Sequence, residues 1–352
     1  MREIVAGIAA AVLVLGCGAP TATRTPSPTT TASVTPTPTP SPTAHPLEAA
    51  YEQVIKDVLP SIVQITTKVG LGSGIVYDTA GHIVTNAHVV GEANELNVTT
   101  AGGTALKARL VKSFGAGDLA VIKVDKPNGL RPARFGDSSK LRVGQIVLAM
   151  GNPLGLSGSV TNGIVSALGR TVSEPQNPGS PGATIAGAIQ TSAAINPGNS
   201  GGALVDLSGQ VIGIPTLAAI DPDLGGSAAP GIGFAIPSNT VTDIASQIVK
   251  QGKVTNSHRA ALGIRASTVI GENGDPGGVG VVSAEPGGGA AKAGIRPGDV
   301  IVSINGKDTL TMAQLSEVLT TLKPGDRARV GVVHPSGKTA TVTVTLGQLP
   351  GD

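Results

Sequence analysis

The run Gly198-Asn199-Ser200-Gly201-Gly202 sets one serine on a turn between glycines. A nucleophilic serine needs an exposed hydroxyl and backbone N–H groups that converge on the oxyanion of a tetrahedral intermediate. Flanking glycines give the backbone the dihedrals for such a turn and leave room for a substrate carbonyl. The same five residues would also make a flexible polar turn, so their meaning depends on what lies upstream. There, Ile83-Val84-Thr85-Asn86-Ala87-His88-Val89-Val90 carries an apolar strand into a histidine. Gly117-Asp118-Leu119-Ala120-Val121-Ile122 puts an aspartate directly before another buried run. Each is commonplace alone: a packed histidine, a strand-end aspartate. Together they supply the general base and the orienting carboxylate that a nucleophilic serine requires.

The rest of the chain suits a mostly β protein. Of 352 residues, 50 are glycine and only 1% are aromatic, so the core must come from Val, Ile, Leu and Ala. Short β-type runs follow one another at Ile62–Thr66, Gly74–Tyr77, Ile83–Thr85, Leu119–Val124, Gln145–Ala149, Gly163–Ala167, Ile185–Thr191, Ala203–Val205 and Gln210–Ile214, punctuated mainly by turn residues. That pattern predicts an antiparallel barrel or sandwich. A helix is expected after Pro46, with Leu47, Tyr51, Val54, Ile55 and Val58 on one face and Pro60 ending it. A second runs from Ser238, as cap, to Gln251, with Gly252 as stop. The net charge of +2 gives no reason to expect nucleic acid.

A different style begins after Lys253–His258. Strands are expected near Val279–Val282, Val300–Ile304, Ala328–Val333 and Thr339–Leu346, with a tight turn at Asn305-Gly306. A helix from Met312 to Leu322 opens on a capping box, Thr311 and Gln314, and faces inward with Leu315, Val318, Leu319 and Leu322. Gly331–Thr339 ends like a phosphate loop, but its glycines are one residue too far apart and the run reads as two strands and a turn.

The amino terminus reads as a targeting signal. Ile4–Leu15 is apolar yet too short to span a bilayer, and it runs into Gly16-Cys17. Cys17 is the only cysteine, so no intramolecular disulfide is possible, and its place matches a bacterial lipoprotein signal. We expect residues 1–17 to be that signal, with Cys17 lipidated and the protein held at the cell envelope. Residues 18–46, nearly all Thr, Ser, Pro and Ala, predict a disordered stalk. The five histidines are scattered without ligand spacing, so neither a metal nor a cofactor is expected.

The order His88, Asp118, Ser200 is that of chymotrypsin. With Gly72-Ser73-Gly74, Thr85–Val90, Asp118–Val124, Gly151-Asn152-Pro153, Gly198–Leu204 and Gly231-Ile232-Gly233-Phe234-Ala235-Ile236-Pro237, the chain resembles the HtrA/Deg proteases from about Leu47 to Leu349. The resemblance implies a chymotrypsin-like double β-barrel protease domain at 47–252 and a small α+β PDZ domain at 258–349. It assigns His88 as base, Asp118 as orienter and Ser200 as nucleophile, with the oxyanion hole in the backbone of Gly198, Asn199 and Ser200. It puts the primary specificity pocket at Ile195, Ile214, Pro215 and Thr216, shallow and apolar, for small aliphatic residues such as Val or Ala. Asn199, where digestive relatives carry Asp, implies switching by loops rather than by a cut amino terminus, the loops being Thr171–Thr184 and Ala194–Asn199.

In the second domain, Ala290–Ile301 carries the PDZ resemblance. Leu262, Gly263 and Ile264, after Ala261, would hold a peptide terminus against the Leu315–Leu322 helix. The resemblance further implies an endopeptidase for unfolded or damaged extracytoplasmic proteins, and a homotrimer touching near Tyr51. The alternatives are a regulatory protease with one envelope substrate or a non-proteolytic chaperone or peptide-binding scaffold; the complete His88, Asp118 and Ser200 set speaks against the scaffold.

Overall fold

The computed structural model describes residues 46–351 except 69, 94, 153–157, 175–181, 197, 222–226 and 272. Cys17 and the stalk as far as residue 45 lie outside the described residues, as does Pro153. Helix α1 (Pro46–Val58) turns Val54 and Val58 fully inward and packs Tyr51 and Ile55 on the same core, while Leu47 stays exposed.

The first barrel contains β1 (Ile62–Thr66), β2 (Leu71–Val76), β3 (His82–Thr85), helix α2 (Ala87–Val90), β4 (Glu95–Thr99), β5 (Ala105–Phe114) and β6 (Leu119–Val124), closed in the order β1-β2-β3-β6-β5-β4. Val63, Ile65, Ile83, Val98 and Ile122 fill it. The second contains β7 (Ile146–Gly151), β8 (Ser159–Glu174), β9 (Ala183–Thr191), β10 (Ala203–Asp206), β11 (Val211–Asp221) and β12 (Ser227–Pro237), closed as β10-β11-β12-β9-β8-β7 around Val147, Val165, Ile189, Leu204 and Ile212. Closure leaves neither sheet a free edge.

Strands β4, β5 and β12 were not anticipated, and β8 is far longer than Gly163–Ala167. The flanks of the expected switching loop are ordered strand: Val172, Ser173 and Glu174 pair with Ile185, Thr184 and Ala183, and residues 175–181 lie outside the described residues.

Helix α3 (Ser238–Gln251) follows the second barrel and buries Val241, Ile244, Ala245 and Ile248. Ser238 is not its cap. Pro237 occupies that position, and the Ser238 hydroxyl donates to the Gly136 carbonyl at 2.8 Å. Gly252 ends the helix in the left-handed region, φ 70°.

The segment after α3 is clamped to it. Buried Gln247 accepts from the N–H groups of Thr255 (2.9 Å) and Asn256 (2.8 Å) and donates to the Asn256 carbonyl (2.9 Å). The far end of the chain closes over the same segment: Ser257 donates to the Leu349 carbonyl (2.7 Å) and Gln348 to the Thr255 carbonyl (2.8 Å).

Beyond the clamp come β13 (Ala260–Ala261), β14 (Ile264–Ile270), β15 (Pro276–Ala284), helix α4 (Gly289–Lys292), β16 (Val300–Ile304), β17 (Lys307–Asp308), helix α5 (Met312–Thr320), β18 (Arg327–Val333), β19 (Thr339–Thr345) and β20 (Gly347–Gln348). The sheet runs β14-β15-β16-β18-β19, with β17 on β16, and β13 pairs with β20. Leu262, Val279, Ile301, Leu315, Val330 and Val344 form a core of their own. Asn305 (φ 51°) and Gly306 (φ 80°) make the hairpin turn. The Thr311–Gln314 capping box opens α5, and Gly331–Thr339 is the end of β18, a turn and the start of β19.

Two predictions follow from these contacts. Gln247→Ala removes the side chain that holds the segment after α3. The three lost bonds, at about 1 kcal/mol each, should make trypsin cut after exposed Lys253 on the order of a hundredfold faster than in the unaltered chain. An unchanged rate would show that the clamp does not govern opening. The second concerns Asp299, 2% exposed. Burial by itself would raise its carboxyl, but the Arg296 N–H (2.9 Å) and the His334 ring (2.7 Å) outweigh this and hold it below the usual carboxylate range. A depressed folded-state value contributes stability that is present above the unfolded value of about 4 and is lost as pH falls through the folded one. The melting temperature of Asp299→Asn should therefore drop less than that of the unaltered protein between pH 6 and pH 3; parallel curves would exclude this contribution.

Candidate active site

The two barrels meet at Ser73 on β2. Its N–H donates to the Ser200 carbonyl at 2.9 Å and its hydroxyl to the Gly198 carbonyl at 2.5 Å. That hydroxyl also accepts the Asn152 N–H (2.8 Å), and the Ser73 carbonyl accepts the Thr85 hydroxyl (2.6 Å). Backbones approach so closely here that side chains are excluded. A Cβ on Gly201 would lie 2.1 Å from the Ser73 carbonyl oxygen, and one on Gly202 2.1 Å from that of Met150. The turn at Ser200 is therefore sterically determined, with Gly198 (φ 101°) and Gly201 (φ 79°) in conformations that favour glycine.

The histidine and aspartate arrive from the first barrel. His88 sits on α2, immediately after β3. Asp118 follows a 3-10 turn, Gly115–Gly117, at which a Cβ on Gly117 would lie 2.6 Å from the buried Phe114 ring. Asp118 is left-handed (φ 52°, ψ 42°), a conformation aspartate tolerates. Its N–H donates to the Gly115 carbonyl and its carbonyl accepts from Asn86 Nδ2, both at 3.0 Å. The buried carboxylate, 2% exposed, accepts from His88 Nδ1 at 3.0 Å to each oxygen and from the His88 backbone N–H at 3.0 Å. The imidazole is thereby fixed in position and tautomer.

The expected substrate residues are arranged otherwise than the sequence suggested. Thr216 is buried, and its hydroxyl donates to Asp118 Oδ2, while its carbonyl accepts the Ser200 hydroxyl at 3.2 Å. It supports Asp118 and Ser200 rather than forming a pocket wall. The cause is a bulge: β11 pairs Pro215 with Ala235 and Leu217 with Phe234, leaving Thr216 unpaired between them. Pro215 has no N–H, and its carbonyl accepts the Gly201 N–H at 3.2 Å, so it offers substrate no free backbone group. Ile214 is completely buried in the barrel core and Ile195 is 9% exposed, so Ile214 packs rather than recognises. Ile232, given no role from sequence, is 38% exposed on β12, next to Gly233, which abuts Ile195. Nothing local in the sequence marks Thr216 as a partner of Asp118.

Of the three expected oxyanion residues, Asn199 commits its N–H to the Asn196 carbonyl (3.0 Å), and its buried side chain donates to the Ala194 carbonyl (3.2 Å). The N–H groups of Gly198 and Ser200 have no acceptor among the described residues. The correction is that two donors remain, not three.

In the second domain, Leu262 buries its side chain in the core and contributes only backbone. The carbonyls of Leu262 and Gly263 are occupied by the N–H groups of Ala290 (3.0 Å) and Glu285 (2.9 Å). Ala261, Leu262, Gly263 and Ile264 line one side of a groove of about 560 Å³, and Leu315 and Leu319 of α5 line the other.

Comparison with known proteins matches residues 72–214 to a trypsin-like peptidase domain and residues 280–333 to a PDZ domain. The chain is 41% identical to the periplasmic serine endoprotease DegP of Salmonella typhimurium over 282 residues, 79% of this chain and 57% of that one. It is 40% identical to the chloroplastic protease Do-like 1 of Arabidopsis thaliana over 331 residues, 86% of this chain and 73% of that one. Among solved structures, the HtrA-type protease AlgW with a tripeptide is 34% identical at a TM-score of 0.56, covering 86% of this chain and 98% of that one. The chain spans 57 to 59% of the length of the DegP and DegQ relatives. With both domains in family order and these similarities, the chain belongs to the HtrA/Deg family of trypsin-like serine proteases with a PDZ domain.

Proposed function

We propose that the protein is a serine endopeptidase that cleaves unfolded or damaged extracytoplasmic polypeptides through an acyl-enzyme. The observation that carries this is one arrangement: a buried Asp118 carboxylate holding His88, with Ser200 on a turn whose Gly198 and Ser200 N–H groups have no acceptor among the described residues. Ser200 Oγ attacks a peptide carbonyl as its proton passes to Nε2 of His88. The oxyanion is received by the N–H groups of Gly198 and Ser200. Collapse expels the amine, which takes the proton from His88. Water, deprotonated by His88, then releases the acid and restores Ser200. Thr216 acts through Asp118 and is a positioning residue.

Specificity follows from the apolar side chains that remain accessible. Cleavage after small aliphatic residues such as Val or Ala is the reading that the apolar Ile195 beside Gly233 supports. The groove between Ala261–Ile264 and α5 is read as the site for peptide carboxyl termini. Location outside the cytoplasm is supported by the periplasmic relatives, and the envelope anchor by the single cysteine at the end of the signal-like segment. A homotrimer rests on the family resemblance; Tyr51 packs partly on its own barrel, so the contact would use the exposed face of α1.

Casein cleavage by the chain from residue 46 onward, beside Ser200→Ala, tests the chemistry: activity in the first and none in the second is expected, and residual activity in Ser200→Ala would remove Ser200 as nucleophile. In the same assay Thr216→Val should lower kcat about 10- to 100-fold with little change in KM, since a hydrogen bond to a charged group is lost. Thr216→Ser should recover most of the rate. Equal rates for Val and the unaltered protein would deny Thr216 its role. In whole cells, Cys17→Ser should move the protein from the membrane fraction to the soluble one, and light scattering of the soluble fragment should give three times the monomer mass; a membrane-bound variant or a monomer would overturn the respective reading.

A further inference from the structure

Arg259, at the entry to the second domain, has no acidic partner within ion-pair distance among the described residues. Its half-buried guanidinium donates to the Ala116 carbonyl, two residues before Asp118, and to no other acceptor among the described residues. A guanidinium carries five N–H donors in a planar fork suited to a carboxylate. Leaving such a cation partly desolvated and unpaired is unfavourable, and burial pushes its pKa down.

This side chain lines a cavity of about 690 Å³ between the β8–β9 hairpin and the face formed by β14 and α5. It is the one charged residue there among the described residues. Hydroxyls such as those of Ser173, Thr184, Ser267 and Thr320 contribute to the polar lining, and among the described residues no carboxylate does. The cavity adjoins the groove read as the peptide site: Ala266, Met312, Ser316, Leu319 and Leu349 line both. The groove itself is balanced, with Arg265 and Glu285 on its wall. On its other side Arg259 lines a cavity with Asp243, whose carboxylate pairs with His258 at 3.3 Å, so the side of Arg259 that faces no described carboxylate is the adjoining chamber.

We propose that this chamber is the subsite for an acidic side chain of a peptide whose carboxyl-terminal end lies in the adjoining groove, with the Arg259 guanidinium as its counter-ion. The proposal rests on the reading of that groove as a peptide site. Arginine suits the role better than lysine because its fork can hold both carboxylate oxygens while a further donor keeps Ala116. A chamber of this size admits a Glu or Asp side chain together with displaced water.

The test is fluorescence anisotropy with the full soluble chain and labelled decapeptides ending in Val. One Glu is walked from the second to the seventh residue from the end, and matched peptides carry Gln at the same positions. At one or two positions Glu should bind about tenfold more tightly than Gln, the size of effect a single partly desolvated ion pair supplies. Arg259→Met should erase that advantage while leaving the Gln peptides unchanged, and Arg259→Lys, which keeps the charge and the stem, should retain part of it. Millimolar acetate should weaken the Glu peptides selectively. Equal binding of Glu and Gln at every position, or a preference that survives Arg259→Met, overturns the subsite while Gln-peptide binding still upholds the groove. Acetate that raises the melting temperature of the unaltered chain without any Glu preference makes this a free-anion site and also overturns the proposal. Failure of every peptide to bind removes the groove reading and the subsite with it.

Discussion

Ser73 uses its N–H and hydroxyl to hold the two barrels together at Ser200, and its carbonyl to bind within its own barrel. Its N–H and hydroxyl bind the carbonyls of Ser200 and Gly198, its carbonyl receives Thr85, and its oxygen receives the Asn152 N–H. One residue of the first barrel thereby determines which way the carbonyls of the Gly198–Ser200 turn face. The N–H groups that share peptide planes with those carbonyls, of Asn199 and Gly201, bind Asn196 and Pro215, while those of Gly198 and Ser200 have no acceptor among the described residues. The absence of side chains at Gly201 and Gly202 is the steric condition for this contact, and the rest of the site is built around it.

Support for the acid–base pair comes from both barrels. Asp118 is held by the first through its own turn and Asn86, and by the second through Thr216. A buried carboxylate needs several donors to offset its lost hydration, and it has three: the His88 ring, the His88 backbone and the Thr216 hydroxyl. The bulge in β11 turns Thr216 out of the ladder so that its hydroxyl binds Asp118 while its carbonyl binds Ser200. Pro215, beside it, gives up an N–H at a point where Gly201 requires only its carbonyl.

His88, Asp118 and Ser200 stand out in the sequence because each sits at the junction of an apolar run and a turn, where a polar residue is conspicuous. Helix α3 and the α5 capping box were legible for the same local reason: their periodicity and caps lie within one stretch of chain. Strands β4 and β5 escaped because charged residues such as Glu95, Lys107 and Arg109 break the apolar pattern while pointing outward. The expectation for Ile214 failed because the side a strand residue faces is set by its pairing, here with Ile236 of β12, which lies outside its own stretch of sequence. The Thr216–Asp118 contact spans 98 positions, and long-range pairing of that kind leaves no trace in either neighbourhood. The Ser238 cap failed likewise, because Gly136, a residue far away in sequence, claimed its hydroxyl.

The scarcity of aromatic residues gives the protein a natural optical simplicity. With no tryptophan and two tyrosines, its ultraviolet emission comes from Tyr51 on α1 and Tyr77 alone. Tyr77 packs against Phe135, ring centres 5.7 Å apart, and Phe135 bridges to Val211 of the second barrel. Docking of one barrel on the other is thus written into the environment of a single phenol, whose ionisation burial and then Asp78 push upward. Replacing Tyr51 by phenylalanine would leave one intrinsic chromophore at the seam where the catalytic halves join, so that their assembly could be followed by light without attaching any foreign label.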